Sequence, residues 1–379
     1  MNGANILIFE QLDRQEQTLY LIALSRVPGI GDARVKKLVA YCGGAKEVFK
    51  KPKSFLNKIP SIGHSLTSAI ANSDVLRLAE DELNYAAKNN VRTISFLDDG
   101  YPKRLKHCED SPIVLYAKGN GNINPNNAIS IVGTRNATRD GKEITEAIVQ
   151  DLAKANVTII SGLAYGIDVA AHRACLKYDV PTIGCLAHGL DRVYPKVHTQ
   201  TANEMLEKGA LITDFPIGTK PDRENFPKRN RIVAGMADAT IVVEAGIKGG
   251  ALITAELANS YSRDVFAIPG RINDTYSAGC HKLIMQHKAA LITSGDDVLK
   301  ALGWNEQQKP SAPKQQTKLL VDLTEEQEKV VSVLQEKNHT IDRIAVLSGY
   351  PMSKVASILL ELEFEGIVSN LPGKLYKLN

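Results

Sequence analysis

The segment FPKRNR, residues 226–231, sets Lys228, Arg229 and Arg231 around Asn230, just ahead of the apolar run 232–235. Guanidinium groups hold phosphates and carboxylates through paired N–H donors, so cations at this spacing are anion-binding chemistry. The same chemistry recurs elsewhere along the chain. Gly133-Thr134-Arg135-Asn136 opens a loop that also carries Arg139; Ser161-Gly162 is small and polar; Lys196 follows Tyr194-Pro195; Gly249-Gly250 leads into a helical run. Glycines let backbone N–H groups approach an anion closely, and a helix start adds partial positive charge. Groups suited to acid–base work are few. Asp168 and His172 lie four apart, on one helix face. No third ligand accompanies them, so a capping Asp and a packing His are favoured over a hydrolase or metal site.

The loop at 133–142 is not a magnesium-nucleotide P-loop. Seven residues rather than four separate Gly133 from Gly141-Lys142, and Glu143 stands where Ser or Thr would ligate magnesium. It is not G-x-G-x-x-G either, which disfavours a dinucleotide. One nucleotide would engage about two or three of Arg135, Arg139, Lys196, Lys228, Arg229 and Arg231. The surplus suits a repeating polyanion tracked along a groove. No helix is set up for a major groove at these loops, which points to a single strand.

These residues need a scaffold that brings separate loops together. Runs at 128–132 (AISIV), 157–160 (VTII), 182–186, 210–213, 240–244 (TIVVE) and 265–268 read as strands buried on both faces, separated by helical stretches. That is an α/β, doubly wound parallel sheet, whose ligands bind beyond the carboxyl ends of its strands. The segment 1–90 reads as a helical domain, with Gly-containing hairpins at 28–31 and 59–63 between helical runs. A phosphate-binding helix-hairpin-helix and a plain αα-hairpin fit equally. The sheet domain spans 91–304, and 305–318 (NEQQKPSAPKQQTK) is a linker. In 319–379, Thr324 and Gln327 make a capping box, and helix-turn-helix spacing precedes a hairpin around Pro372-Gly373. That is a winged-helix pattern. The recognition helix, 353–365, carries one Lys against three Glu, so a protein-contact role is favoured over duplex reading.

Net charge is only +4, so anion affinity must come from local clustering. Five scattered cysteines with no C-x-x-C favour reduced thiols in a cytoplasm over disulfides or zinc. The acidic N-terminal stretch is unlike a signal peptide, and no apolar run approaches membrane-spanning length.

The motifs S-I-V-G-T-R, S-G-L-A-Y-G-I-D-x-x-A-H, G-L-D-x-x-Y-P, F-P-x-R-N-R-I-V-A-G, L-I-T-A-x-x-A and F-A-I-P-G-R run in order between residues 98 and 304. In this they resemble the DNA-processing protein A (DprA/Smf) family. The resemblance implies an extended Rossmann-like fold that binds single-stranded DNA as a homodimer, with no cofactor, metal or enzymatic activity. It also implies loading of RecA recombinase onto incoming strands in natural transformation. Carried over, the DNA contacts include Arg135, Lys196 and Arg229-Asn230-Arg231. Gly133, Thr134, Asn136, Ser161, Gly162, Lys228, Gly249 and Gly250 join them as strand-end residues. The dimer region corresponds to 279–292, with His281, Leu283, Ile284 and Leu291 at the interface. The family's S-G-S before L-I-T-A is Gly249-Gly250-Ala251 here, and its Gly-Ala in the dimer region is His287-Lys288-Ala289. The rival class is an enzyme: residues 244–256 faintly resemble the P-G-G-x-G-T-x-x-E loop of nucleotide phosphoribohydrolases, without the G-T. Phe226, Tyr165 and Phe215 are candidates for base stacking or for core.

Overall fold

The computed structural model describes residues 15–72, 74–304, 323–336, 338–371 and 375–378. The chain divides into two compact units, Met1–Gln308 and Lys309–Asn379.

The first unit is built on nine strands: β1 Arg92–Ser95, β2 Val114–Lys118, β3 Ala128–Val132, β4 Thr158–Ser161, β5 Thr182–Cys185, β6 Ala210–Thr213, β7 Ala239–Val242, β8 Asp264–Ala267 and β9 Ala290–Leu291. Their order is β1-β2-β6-β5-β4-β3-β7-β8-β9. β3 to β9 are mutually parallel, while β2 adds antiparallel to β6 and β1 antiparallel to β2. The six strands expected from sequence all form. β1, β2 and β9 extend the sheet beyond them. Alternation in β3 shows why the runs are apolar throughout: Ile129 and Ile131 pack on one face, Ala128 and Val132 on the other. Helices Arg139–Leu152 and Ile167–Lys177 cover the first face, and Asn225–Gly235 and Gly250–Ser260 the second.

The helices of residues 15–88 belong to this same unit. Their core, which includes Leu21, Leu24, Leu38 and Val48, continues into Ile113, Val114 and Tyr116 at β2. The two segments expected as separate domains, 1–90 and 91–304, thus share apolar packing. Polar ties reinforce it. Asp32 accepts the Ile113 N–H at 3.2 Å and pairs with Arg231 at 2.9 Å, while Arg231 also pairs with Asp214 at 2.5 Å and donates to the Asp110 carbonyl. Glu82, 3% exposed, accepts the Ile217 N–H at 3.0 Å on both carboxylate oxygens.

The second unit has helices Glu325–Glu336, Ile341–Ser348 and Met352–Phe364 with a sheet ordered β10 His339–Thr340, β12 Leu375–Leu378, β11 Val368–Leu371. This is a winged helix. The capping box forms: Thr324 N–H donates to Gln327 Oε1 at 3.0 Å, and Gln327 N–H to Thr324 Oγ1 at 3.3 Å. The expected Pro372-Gly373 turn lies outside the described residues. Helix Met352–Phe364 exposes Leu360 and Phe364 beside Glu361 and Glu363.

Two outcomes follow from the ties. Burial pushes the Glu82 carboxyl up to about 7, with the Ile217 N–H opposing. From about pH 4.5 to 7 the unfolded chain then releases a proton that the folded chain keeps, so stability falls as pH rises through this window. Glu82→Gln keeps the acceptor oxygen and removes the titration; its melting temperature relative to wild type should climb across that window. Arg231→Ala leaves Asp32 and Asp214 unpaired and should cost about 3–5 kcal/mol, read as a lower urea midpoint. A residue that only touched DNA would leave the midpoint unchanged.

Candidate nucleic-acid interface

The strand order reverses at β3, with β4 to β6 on one side and β7 to β9 on the other. Chains leaving neighbouring strands in opposite directions open a crevice at such a point. Here it is a cleft of ≈ 620 Å³ lined by the exits of β3, β4 and β7 and by helix Asn225–Gly235. Gly133, Thr134, Arg135, Gly162, Arg229, Asn230, Gly249 and Gly250, all named as candidates from the sequence, line it.

Close backbone approach assembles the cleft. Gly166, at φ 79°, lies against the β3 exit, where a Cβ would come 2.1 Å from the Thr134 carbonyl oxygen. The neighbouring Ile167 N–H donates to that same oxygen at 3.2 Å. A Cβ on Gly162 would stand 2.1 Å from Arg229 Nη1, so the missing side chain is the seat of the guanidinium. Arg229 is only 4% exposed and donates to the Cys185 carbonyl at 2.5 Å, while among the described residues its Nε has no hydrogen-bond partner. The arginine therefore lends charge from the floor of the cleft. Asp168 lies below it. Burial raises the Asp168 carboxyl above the usual carboxylate range, opposed by the Arg229 charge and the Ala164 and Gly162 N–H groups.

Arg135 is the exposed counterpart. Its guanidinium lies 4.7 Å from the centre of the Phe226 ring, and among the described residues no carboxylate pairs with it. Tyr194 stands 6.2 Å from Phe226, centre to centre, and Tyr165 packs edge-on to His198 at 5.1 Å. Tyr165, Tyr194 and Phe226 surround a recess of ≈ 90 Å³ beside Arg135. Rings half exposed beside a free cation can stack bases while the cation meets a phosphate. Phe215 instead lines a different cleft.

Several expected residues are placed otherwise. Arg231 faces away from the switch point, into a cleft of ≈ 760 Å³ where Asp32, Asp110 and Asp214 balance it, Lys228 and Arg34. The reason is helical: Phe226, Arg229, Asn230 and Val233 share the face toward the switch point, and Lys228 and Arg231 share another. Ser161 is fully buried and donates to the Ile131 carbonyl at 2.6 Å, inside the sheet. Lys196 is exposed at the turn Lys196–His198 but does not line the switch-point cleft. Asn136 donates to the Tyr276 hydroxyl at 3.2 Å. The helix start at Arg139 is not an open anion cradle. Thr138 caps it through the Gly141 N–H, and Glu244 accepts both the Thr138 N–H at 3.0 Å and its hydroxyl at 2.5 Å. The start of helix Gly250–Ser260, with Gly249 at its N-cap and no side-chain cap, stays open to the cleft. Arg223 and Lys248 line the cleft and were not expected. Lys248 could have been found as the cation inside the glycine turn after β7.

In the dimer region, Leu283 is 2% exposed within the sheet core, and Ile284 packs partly buried against it. Leu283 is thus part of the monomer's own core rather than a free interface residue. Leu291, on edge strand β9, is 52% exposed, and Met285 72%. His281 is half-buried, with Nε2 3.4 Å from the Gly270 carbonyl.

Among the described residues, the groups that could do acid–base work near the cleft are held in pairing or packing contacts. The glutamates of the phosphoribohydrolase-like segment are both engaged, Glu244 with Thr138 and Glu256 with Lys288 at 2.6 Å. His172 Nδ1 meets the Thr182 hydroxyl at 2.7 Å, and burial with the Arg229 charge pushes the ring down to about 3. It stays neutral, as a packed residue.

Residues 92–303 match the family model for DNA recombination-mediator protein A, and 309–374 the DprA winged helix domain. Protein Smf of Synechocystis is 32% identical over 94% of this chain and 98% of its own. DNA processing protein DprA of Streptococcus pneumoniae is 42% identical over 55% of this chain and 73% of its own. The solved DprA structure from S. pneumoniae superposes with a TM-score of 0.64 at 32% identity, covering 74% of this chain and 97% of that one. A Helicobacter pylori DNA processing protein A, described for its single-stranded DNA binding mode, gives 0.52 at 27% identity, covering 57% and 96%. With its motifs, its fold and its basic switch-point cleft, this chain belongs to the DprA/Smf family of DNA recombination mediators.

Proposed function

We propose that the chain binds single-stranded DNA along the switch-point cleft and presents it to RecA recombinase, in the cytoplasm, during natural transformation. The observation that carries the binding reading is Arg135 spread over Phe226 at the mouth of the cleft, free of any acidic partner among the described residues. Four cations, Arg135, Arg223, Arg229 and Lys248, line the cleft against one carboxylate, Asp168. Phosphates meet Arg135, Arg223, Lys248 and the open N–H groups at Gly249-Gly250. Bases stack on Phe226, Tyr194 and Tyr165, an aromatic set whose contacts tolerate any sequence. Asn230 supplies a neutral amide beside them. A homodimer forms through exposed Leu291 and Met285 near the β9 edge, doubling the number of clefts. The winged helix, with Leu360 and Phe364 among glutamates, suits a protein contact better than a duplex. Among the described residues no helix is long and apolar enough to cross a membrane.

Fluorescence anisotropy with oligo-dT across a salt series tests the cleft. Arg135→Ala should weaken binding and flatten the slope of log K against log salt by about 0.7, one phosphate's share. Phe226→Ala should cost about 1–3 kcal/mol while the slope changes little. Unchanged affinity in both variants would exclude the cleft. Leu291→Arg should shift sedimentation from dimer to monomer while the circular dichroism spectrum stays that of the folded chain.

A further inference from the structure

A second groove of ≈ 570 Å³ begins where the switch-point cleft ends, and the two share Arg135. It runs between helices Arg139–Leu152 and Ile167–Lys177, past Tyr165 and Val197, which are 49% and 65% exposed. Its floor is formed by small or short side chains at Gly166, Val169 and Ala170, so a bulky chain can lie low between the helices. Its walls carry Arg135, Lys142, Arg173 and Lys177 against the single carboxylate Glu146. That carboxylate is already spent: Lys177 pairs with it, and the Tyr178 hydroxyl donates to it at 3.1 Å. Lys142 and Arg173 are exposed, and among the described residues neither pairs with a carboxylate; Arg173 reaches only the Thr201 hydroxyl, at 3.5 Å.

The charge balance gives the strand a direction. On the far side of helix Asn225–Gly235, the cleft around Arg231 sets three aspartates against three cations and attracts a polyanion little. The groove beyond Arg135 keeps an excess of positive charge with no internal partner. We propose that a single strand seated in the switch-point cleft passes over Arg135 and Tyr165 into this groove, where Lys142 and Arg173 hold further phosphates. The groove is then a second nucleotide subsite, and the binding footprint is longer than the cleft alone. This rests on the reading of the cleft as the primary DNA site.

The test uses the full chain and oligo-dT of about six and about twenty nucleotides, lengths that bracket one compact site. Lys142→Gln with Arg173→Gln should weaken the longer oligonucleotide roughly tenfold and flatten its salt slope by about 1.4. The shorter one should bind as to wild type, and the melting temperature should hold. Arg135→Ala should weaken both lengths. If Arg135→Ala weakens both while the double variant binds the longer strand normally, the groove is wrong and the cleft stands. Equal weakening of both lengths by the double variant would also overturn the subsite, since those cations would then act only through the general field. If Arg135→Ala and Phe226→Ala both leave the two lengths unchanged, the cleft reading fails and takes the groove with it.

Discussion

The site rests on a buried guanidinium held without a full ion pair. Arg229 lies where Gly162 leaves room, one N–H on the Cys185 carbonyl and its Nε unmet. Charge taken out of water is costly unless something compensates it. Asp168 attracts it from below and is itself pushed toward neutrality by the same burial. The remaining positive potential emerges upward, where Arg135 and the start of helix Gly250–Ser260 add to it. Three strand exits must keep their spacing for this to work, and the Gly166–Thr134 contact helps fix two of them.

Helix Asn225–Gly235 divides the electrostatics of the molecule. On one face Arg229 and Asn230 feed the open cleft. On the other, Arg231 is consumed by aspartates from the helical layer and from the end of β6. One short basic motif thus does two jobs: half lines the open cleft, and half fastens the helix that carries it.

The sheet was legible because its strands are buried on both faces, and such strands are uniformly apolar. The two-residue β9 and the antiparallel pair β1 and β2 fell outside that signature. Within the site, loop glycines and Arg135 were legible because strand exits have only one place to converge. The placement of Arg231 was not legible because composition shows a cation but not its partners: Asp32 and Asp214 are far from it in sequence. The burial of Ser161 was not legible because the last residue of a strand can still point into the sheet. Leu283 and Leu291 look alike as apolar residues of one segment, yet a helix buries the first and a sheet edge exposes the second. Arg223 entered the cleft from a long loop with no periodic pattern to place it.

Glu244 has a consequence for how fast the protein can work. By standing in for an anion at the helix after β3, it organises the loop that carries Arg135 without any ligand. Little conformational freedom is left to surrender at that loop on capture. On the proposed reading of the cleft, the rate of engagement would follow diffusion and electrostatic attraction, and the lifetime of the complex how quickly successive nucleotides peel away.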